Sequence, residues 1–197
     1  MLDQKDVQFG FSILKVGSIM DIYRLFKTAK TKKIKAGEIY IHEHANWQKA
    51  AFIRKGLIRA YLLKNNGDEV TILLRWENQF VTSHDGIFWQ KPSRFIYQAM
   101  EDTTLIEMDY NKAREIAESN PILSNNRNIL LTHMLAQSID RVESFVLLSA
   151  KERYLKLIQE KPDIVKRVPD KYLSTYLGIT PVSLSRIRKR IAHEQQH

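Results

Sequence analysis

The sequence predicts an α+β fold: an antiparallel β sandwich or barrel first, then a long helix, then a C-terminal pair of helices around a tight turn. Three observations predict it. Between Lys32 and Asp109 the apolar residues alternate or run in short segments broken by turn residues, as in "KIKAGEIYIHEH" and "KAAFIRKGLIRAYLLK". After Asp109 the apolar spacing becomes helical and stays so. Near the end, "YLSTYLGITPVSLSRIRKR" sets a glycine and a Thr-Pro pair ahead of the cations Arg186, Arg188, Lys189 and Arg190.

Residues 18 to 28, "SIMDIYRLFKT", place Ile19, Ile22, Tyr23 and Phe26 at helical spacing behind a serine, so a short amphipathic helix is expected to open the fold. Strands follow. "LLKNNGDEVTILL" is the clearest hairpin, with Asn66-Gly67 as its turn. "DYNKAREIAESNP" reads as a helix capped by Asp109 and stopped at Asn120-Pro121.

From Pro121 a second helix is expected to run to about Leu148, with Leu131, Leu135, Ile139, Val142 and Val146 forming one apolar stripe. Either its own β domain covers that stripe or a second chain does. A helix well beyond the usual three to four turns favours a homodimer. Ser149 followed by Glu152 is a capping box, which starts a new helix and marks residues 148–150 as a hinge. The expected units are therefore residues 1–120, a β-rich domain; 121–148, a dimerisation helix; and 149–197, a helix-turn-helix domain.

Within that last unit Pro169-Asp170 starts a helix and Gly178 ends it in the left-handed conformation that glycine adopts without strain. Thr180 caps the next helix and Pro181 takes its first position. Leu173, Leu177, Ile179, Leu184, Ile187 and Ile191 fall on inner faces, and small Ser174 lies at the crossing. This is helix-turn-helix spacing, with Val182, Ser183, Ser185, Arg186 and Lys189 outward on the second helix. Arg186 has the planar fork that matches a guanine edge; Ser183 and Ser185 suit bases or phosphates; Arg188, Lys189 and Arg190 suit phosphates. The set expected at DNA is thus Thr180, Val182, Ser183, Ser185, Arg186, Arg188, Lys189 and Arg190. Solvation of a C-terminal helix explains cations but not the glycine turn and the Thr-Pro start beside them.

Composition agrees with a polyanionic partner. The 197 residues carry a net charge of +9, and from Lys151 onward eleven Lys/Arg stand against five acids. There is no cysteine, which excludes disulfides, thiolate metal sites and cysteine nucleophiles and suits a cytoplasmic protein. No export signal and no membrane-spanning apolar run is evident.

On these residues the chain resembles the Crp/Fnr superfamily of bacterial transcription regulators. "YLGITPVSLSRIRKR" is similar to the version of the motif common in Bacteroidetes-type members, and "KAGEIYIHEHANWQKAAFIRKGLIRAYLLKNNGDEVTILLRWENQFVTS" is similar to the first strands of the cyclic-nucleotide-binding β-roll. The resemblance implies an N-terminal antiparallel β-roll of double-stranded β-helix (jelly-roll) type with flanking helices, a long central dimerisation helix and a C-terminal helix-turn-helix. It implies a homodimer on a two-fold-related double-stranded DNA site, RNA polymerase as a further candidate partner, and a regulator that is not an enzyme.

Departures from that pattern carry information too. Where cyclic-AMP-binding members hold the ribose and phosphate with a glutamate and an arginine, this chain aligns Ser83 and Ser93. Losing a charge-assisted contact to a phosphate costs several kcal/mol, so cyclic AMP is not expected, no cofactor is expected, and Ser83 and Ser93 mark a candidate pocket for a different small-molecule effector or none. Arg94 is one residue off and by strand alternation faces the other way. Val182 replaces a glutamate usual at its position. With six residues after Ile191, no β-hairpin wing is expected there.

A rival reading is a cupin-like β-roll that binds a small molecule or metal and uses its helix-turn-helix for protein contacts. His42-Glu43-His44 on a strand would put both imidazoles on one face. The glutamate expected downstream is absent, with Gln48 and Lys49 near its place, so no metal is expected and solvated turn histidines are the plainer reading. Ser83-His84-Asp85 are neighbours in sequence, which does not make a triad. His133 reads as an interface or surface residue, Trp47, Trp76 and Trp89 as packing residues, and glycine-rich phosphate loops are lacking.

Overall fold

The strands are β1 (Lys30–Ile34), β2 (Ile39–Ile41), β3 (Lys49–Lys55), β4 (Ile58–Leu63), β5 (Glu69–Arg75), β6 (Phe80–Thr82), β7 (Ile96–Ala99) and β8 (Thr103–Asp109). They form two four-stranded antiparallel sheets that face each other, in the orders β1-β8-β3-β6 and β2-β7-β4-β5. The computed structural model describes residues 27 and 29–194, so the amphipathic helix expected over 18–28 lies, Lys27 apart, outside the described residues. Consecutive strands β3 and β4 belong to different sheets, as do β7 and β8, which gives the sandwich its rolled topology. Ile34, Ile41, Ile53, Ala60, Val81, Tyr97 and Leu105 fill the space between the sheets, none of them more than 4% exposed. Burying such apolar side chains between two sheet faces is the main force holding this half together.

The β4–β5 hairpin turns where the sequence places it. Gly67 takes φ 84° and donates its N–H to the Lys64 carbonyl at 2.8 Å, while the Lys64 N–H reaches the Asp68 carbonyl at 2.9 Å. His42-Glu43-His44 departs from the strand the metal-binding reading requires. The three residues are exposed, 43 and 44 form a turn just past β2, and His44 sits at φ 62°, so strand alternation does not align the imidazoles. A short helix absent from the sequence reading, α1 (His84–Trp89), follows β6; Ser83 caps it by accepting the Gly86 N–H.

The helical half follows its capping signals. α2 (Tyr110–Glu118) starts with the Asp109 carboxylate accepting the Lys112 N–H, and α3 (Pro121–Leu147) starts with Asn120 accepting from Ile122 and Leu123, with Pro121 in the first turn. α3 is 27 residues long, or about seven turns. The Ser149–Glu152 capping box is complete and opens α4 (Ala150–Glu160). Then come α5 (Ile164–Arg167), α6 (Asp170–Tyr176) and α7 (Pro181–Glu194).

A second core crosses the boundary expected at residue 149. Leu57 and Leu74 of the β half share it with Tyr154, Leu157, Ile164, Val168, Leu173, Leu177 and Leu184 of the helical half. Polar groups reinforce the junction. The Thr71 N–H on edge strand β5 donates to the Thr175 hydroxyl at 3.1 Å. Arg167 pairs with both Glu77 and Glu101 at 2.6 Å. Fully buried Arg59 lies 3.9 Å from the Tyr61 ring centroid and 3.5 Å from that of Tyr172, and it hydrogen-bonds Glu69 and Gln98. α6 is thereby held against the sheet it follows.

Candidate nucleic-acid interface

α6 and α7 are joined by four residues, 177–180, and the last three each have a defined task. Gly178 adopts φ +72°, and a Cβ there would lie 2.7 Å from the Phe145 ring, so both backbone and space call for glycine. Ile179 donates its N–H to the Ser174 carbonyl at 3.0 Å, closing the end of α6. The Thr180 hydroxyl accepts the Ser183 N–H at 3.2 Å and shares a 3.0 Å hydrogen bond with the Ser183 hydroxyl. Leu173, Ser174, Leu177 and Leu184 are buried, which fixes how the two helices cross.

That packing sets the outer face of α7. Val182, Ser185, Arg186, Lys189 and Arg190 are exposed beside exposed Thr180, and Ser183 is half-buried. Among the described residues no carboxylate pairs with Arg186, Lys189 or Arg190, so the face is a cluster of uncompensated charge. Arg188 is different. Its guanidinium turns back to the Tyr154 hydroxyl at 3.1 Å and the Asp170 carboxylate at 2.8 Å. Burial works against the charge, but those two partners outweigh it and raise Arg188 above its ordinary value. It fastens α7 to α4 and α6, a role that no local sequence pattern announces.

The apolar stripe of α3 faces outward. Leu135, Ile139, Val142 and Val146 are 61%, 54%, 65% and 74% exposed, and Leu131 is half-buried. Large apolar side chains thus recur along one exposed face of the helix. The side chain of His133 lies outside the described residues.

Ser83 and Ser93 are fully buried, and each is bonded to backbone: Ser83 accepts from Gly86, and the Ser93 hydroxyl donates to the Phe95 carbonyl at 2.9 Å. Neither offers charge. Arg94 projects the other way, with a side chain 73% exposed, and meets the buried Asp85 carboxylate at 3.0 Å. Burial pushes the Asp85 carboxyl up, yet Arg94 outweighs burial and holds it below its ordinary value. Arg94, the cation next to Ser93 in sequence, is thus already paired. Ser83, His84 and Asp85 have separate partners, since the His84 ring stacks on Phe88. Among the described residues no group of three or more His, Asp or Glu is placed to hold a metal ion, and no described helix is long and apolar enough to cross a membrane. Trp47 packs edge-to-face on Tyr40 at 4.9 Å, Trp76 packs against the second core, and Trp89 is 70% exposed.

No family model and no curated protein matches this sequence. Solved structures do match in fold. FixK2 from Bradyrhizobium japonicum aligns over 85% of this chain and 86% of its own, with 15% identity and a TM-score of 0.73. CLP, a c-di-GMP-responsive global regulator of Xanthomonas campestris, covers 89% and 92% of the two chains with 11% identity and a TM-score of 0.69. A transcriptional regulator of the CRP/FNR family from Thermus thermophilus covers 84% and 87% with 17% identity and a TM-score of 0.64. The α+β architecture of this chain is therefore the fold of CRP/FNR transcription regulators: a β sandwich, a long central helix and C-terminal helices.

Proposed function

We propose that this chain is a sequence-specific, DNA-binding transcription regulator of the Crp/Fnr type that acts as a homodimer in the cytoplasm and does not respond to cyclic AMP. The observation that carries it is α7: a helix started by Thr180 and Pro181, seated on Leu184, with Arg186, Lys189 and Arg190 exposed and without carboxylate partners. In this reading Val182, Ser183, Ser185 and Arg186 meet base edges in the major groove while Thr180, Lys189 and Arg190 hold phosphates. Arg188 acts inside the protein as a positioning residue. The exposed stripe of α3 pairs two copies along residues 121–148, which presents two α7 helices to a two-fold site. Replacement of a glutamate and an arginine by buried, neutral Ser83 and Ser93 supports insensitivity to cyclic AMP.

Salt dependence tests the reading. Six or more phosphate contacts in the dimer make the logarithm of affinity fall with the logarithm of salt at a slope of about −5 or steeper. A slope near zero would show that this helix-turn-helix serves protein contacts instead.

A further inference from the structure

A cavity of about 410 Å³ lies where the β half, the central helix and the helix-turn-helix unit meet. β5 contributes Leu73 to Arg75, α3 contributes Gln137, Arg141 and Phe145, α4 contributes Arg153 and Lys156, and the end of α6 contributes Tyr176. On α3 this wall lies opposite the exposed stripe, because residues 137, 141 and 144 fall half a turn away from 135, 139, 142 and 146. Pairing of two chains along the stripe leaves the cavity wall free.

Its lining carries more positive than negative charge. Arg75, Arg141, Arg153 and Lys156 all line it, and among the described residues no carboxylate pairs with any of them; Asp140 and Glu160 are the acids in the lining. Arg141 and Arg153 are held in place rather than neutralised. Arg141 donates to the Tyr176 carbonyl at 2.9 Å and lies 3.9 Å from the Tyr176 ring centroid. Arg153 donates to the Leu177 carbonyl at 3.2 Å and the Leu148 carbonyl at 2.6 Å, and it sits 4.7 Å from the Phe145 ring centroid. Among the described residues Arg75 makes no such contact. Burial depresses its guanidinium, and the Arg141 charge adds to that effect. Neighbouring guanidiniums repel one another, and holding two of them with rings and carbonyls leaves N–H groups available to an anion.

We propose that this cavity binds a small organic phosphate, its phosphate group seated among Arg75, Arg141, Arg153 and Lys156. A doubly charged tetrahedral anion has enough acceptor oxygens to satisfy more than one guanidinium fork, and the volume falls within the range of small-molecule sites. Leu73, Leu74, Trp76, Leu157 and Leu177 form the apolar wall that takes the rest of the molecule. The seated ligand touches β5, α3, α4 and α6 at once, so it bridges the sensor-type sheet and the helix-turn-helix unit.

Calorimetric titration of the full-length protein with pyrophosphate, adenosine monophosphate and adenosine at constant ionic strength tests this. Saturable binding of pyrophosphate or adenosine monophosphate, at about one site per chain, with no binding of adenosine, is the expected result. Equal affinity for the two phosphates would assign binding to the phosphate group alone, and tighter binding of the nucleotide would add the apolar wall. Arg75→Gln and Lys156→Gln, neither of which removes a hydrogen bond in the described structure, each weaken binding by about tenfold or more. The Arg186→Ala, Lys189→Ala double variant binds as the parent does. Silence with both phosphates, unchanged binding in both cavity variants, or loss of binding in the double variant would overturn the proposal; the last would place the anion on α7.

Discussion

Gly178 shows how much a single residue can fix. It ends α6 at φ +72° and leaves room for Phe145 of α3, so the direction of α7 depends on it twice. Gly178→Ala should lower stability by about 1–2 kcal/mol from backbone strain alone, with the ring clash in addition, as read from denaturant unfolding. Arg186 and Arg188 make a sharper pair. Arg186→Ala should weaken specific DNA binding by about 1–3 kcal/mol and relax preference at one base pair, with stability unchanged. Arg188→Ala should instead lower the melting temperature and weaken all duplexes alike, because it unfastens α7 from Tyr154 and Asp170. Loss of base preference in Arg188→Ala, with none in Arg186→Ala, would reverse the two roles. The turn itself was legible from sequence because caps and glycines act on their neighbours. Arg188 was not, since its partners lie 34 and 18 residues away.

Among the elements, α3 was the easiest to read and its stripe matters most. Leu135, Ile139, Val142 and Val146 remain exposed in a single chain, so a charge placed there disturbs no core. Ile139→Glu should convert dimer to monomer in sedimentation, leave the helical circular dichroism of the chain in place, and cost most of the affinity for a two-fold site. A monomer that binds such a site as tightly as the parent would remove the dimer from the account. Periodicity revealed α3 because 27 residues repeat the pattern many times. It missed α1, whose six residues span less than two turns, and the His42-Glu43-His44 segment reads as strand or turn until the positive φ of His44 decides. Ser83 and Ser93 were located by resemblance, and only the structure shows their hydroxyls bonded to backbone.

At the scale of the whole molecule, the two halves are joined by a shared core and by buried charge. Sequence periodicity sees neither, because Leu57 and Leu74 meet Leu173 and Leu177 only in three dimensions. Arg59, a cation inside the apolar run "GLIRAYLL", is buried at that junction against Tyr172. Glu77 makes the junction sensitive to acid. Burial raises its carboxyl, but Arg167 and the Gly56 amide outweigh burial and bring it from the ordinary 4.5 down to about 2. A carboxyl depressed in the folded state contributes its full stability above about pH 4.5 and loses it as pH falls toward 2. The gap in melting temperature between the parent and Glu77→Gln should therefore shrink across that window; a constant gap would mean that Glu77 is not held by Arg167.

The central claim is that two copies of α7 read a two-fold DNA site, and selection of bound duplexes from a random pool by the purified protein tests it most directly. The account predicts a symmetric consensus with half-sites about 34 Å, one helical turn, apart. Enrichment of an asymmetric site, or of none either with or without cell extract added, would contradict it.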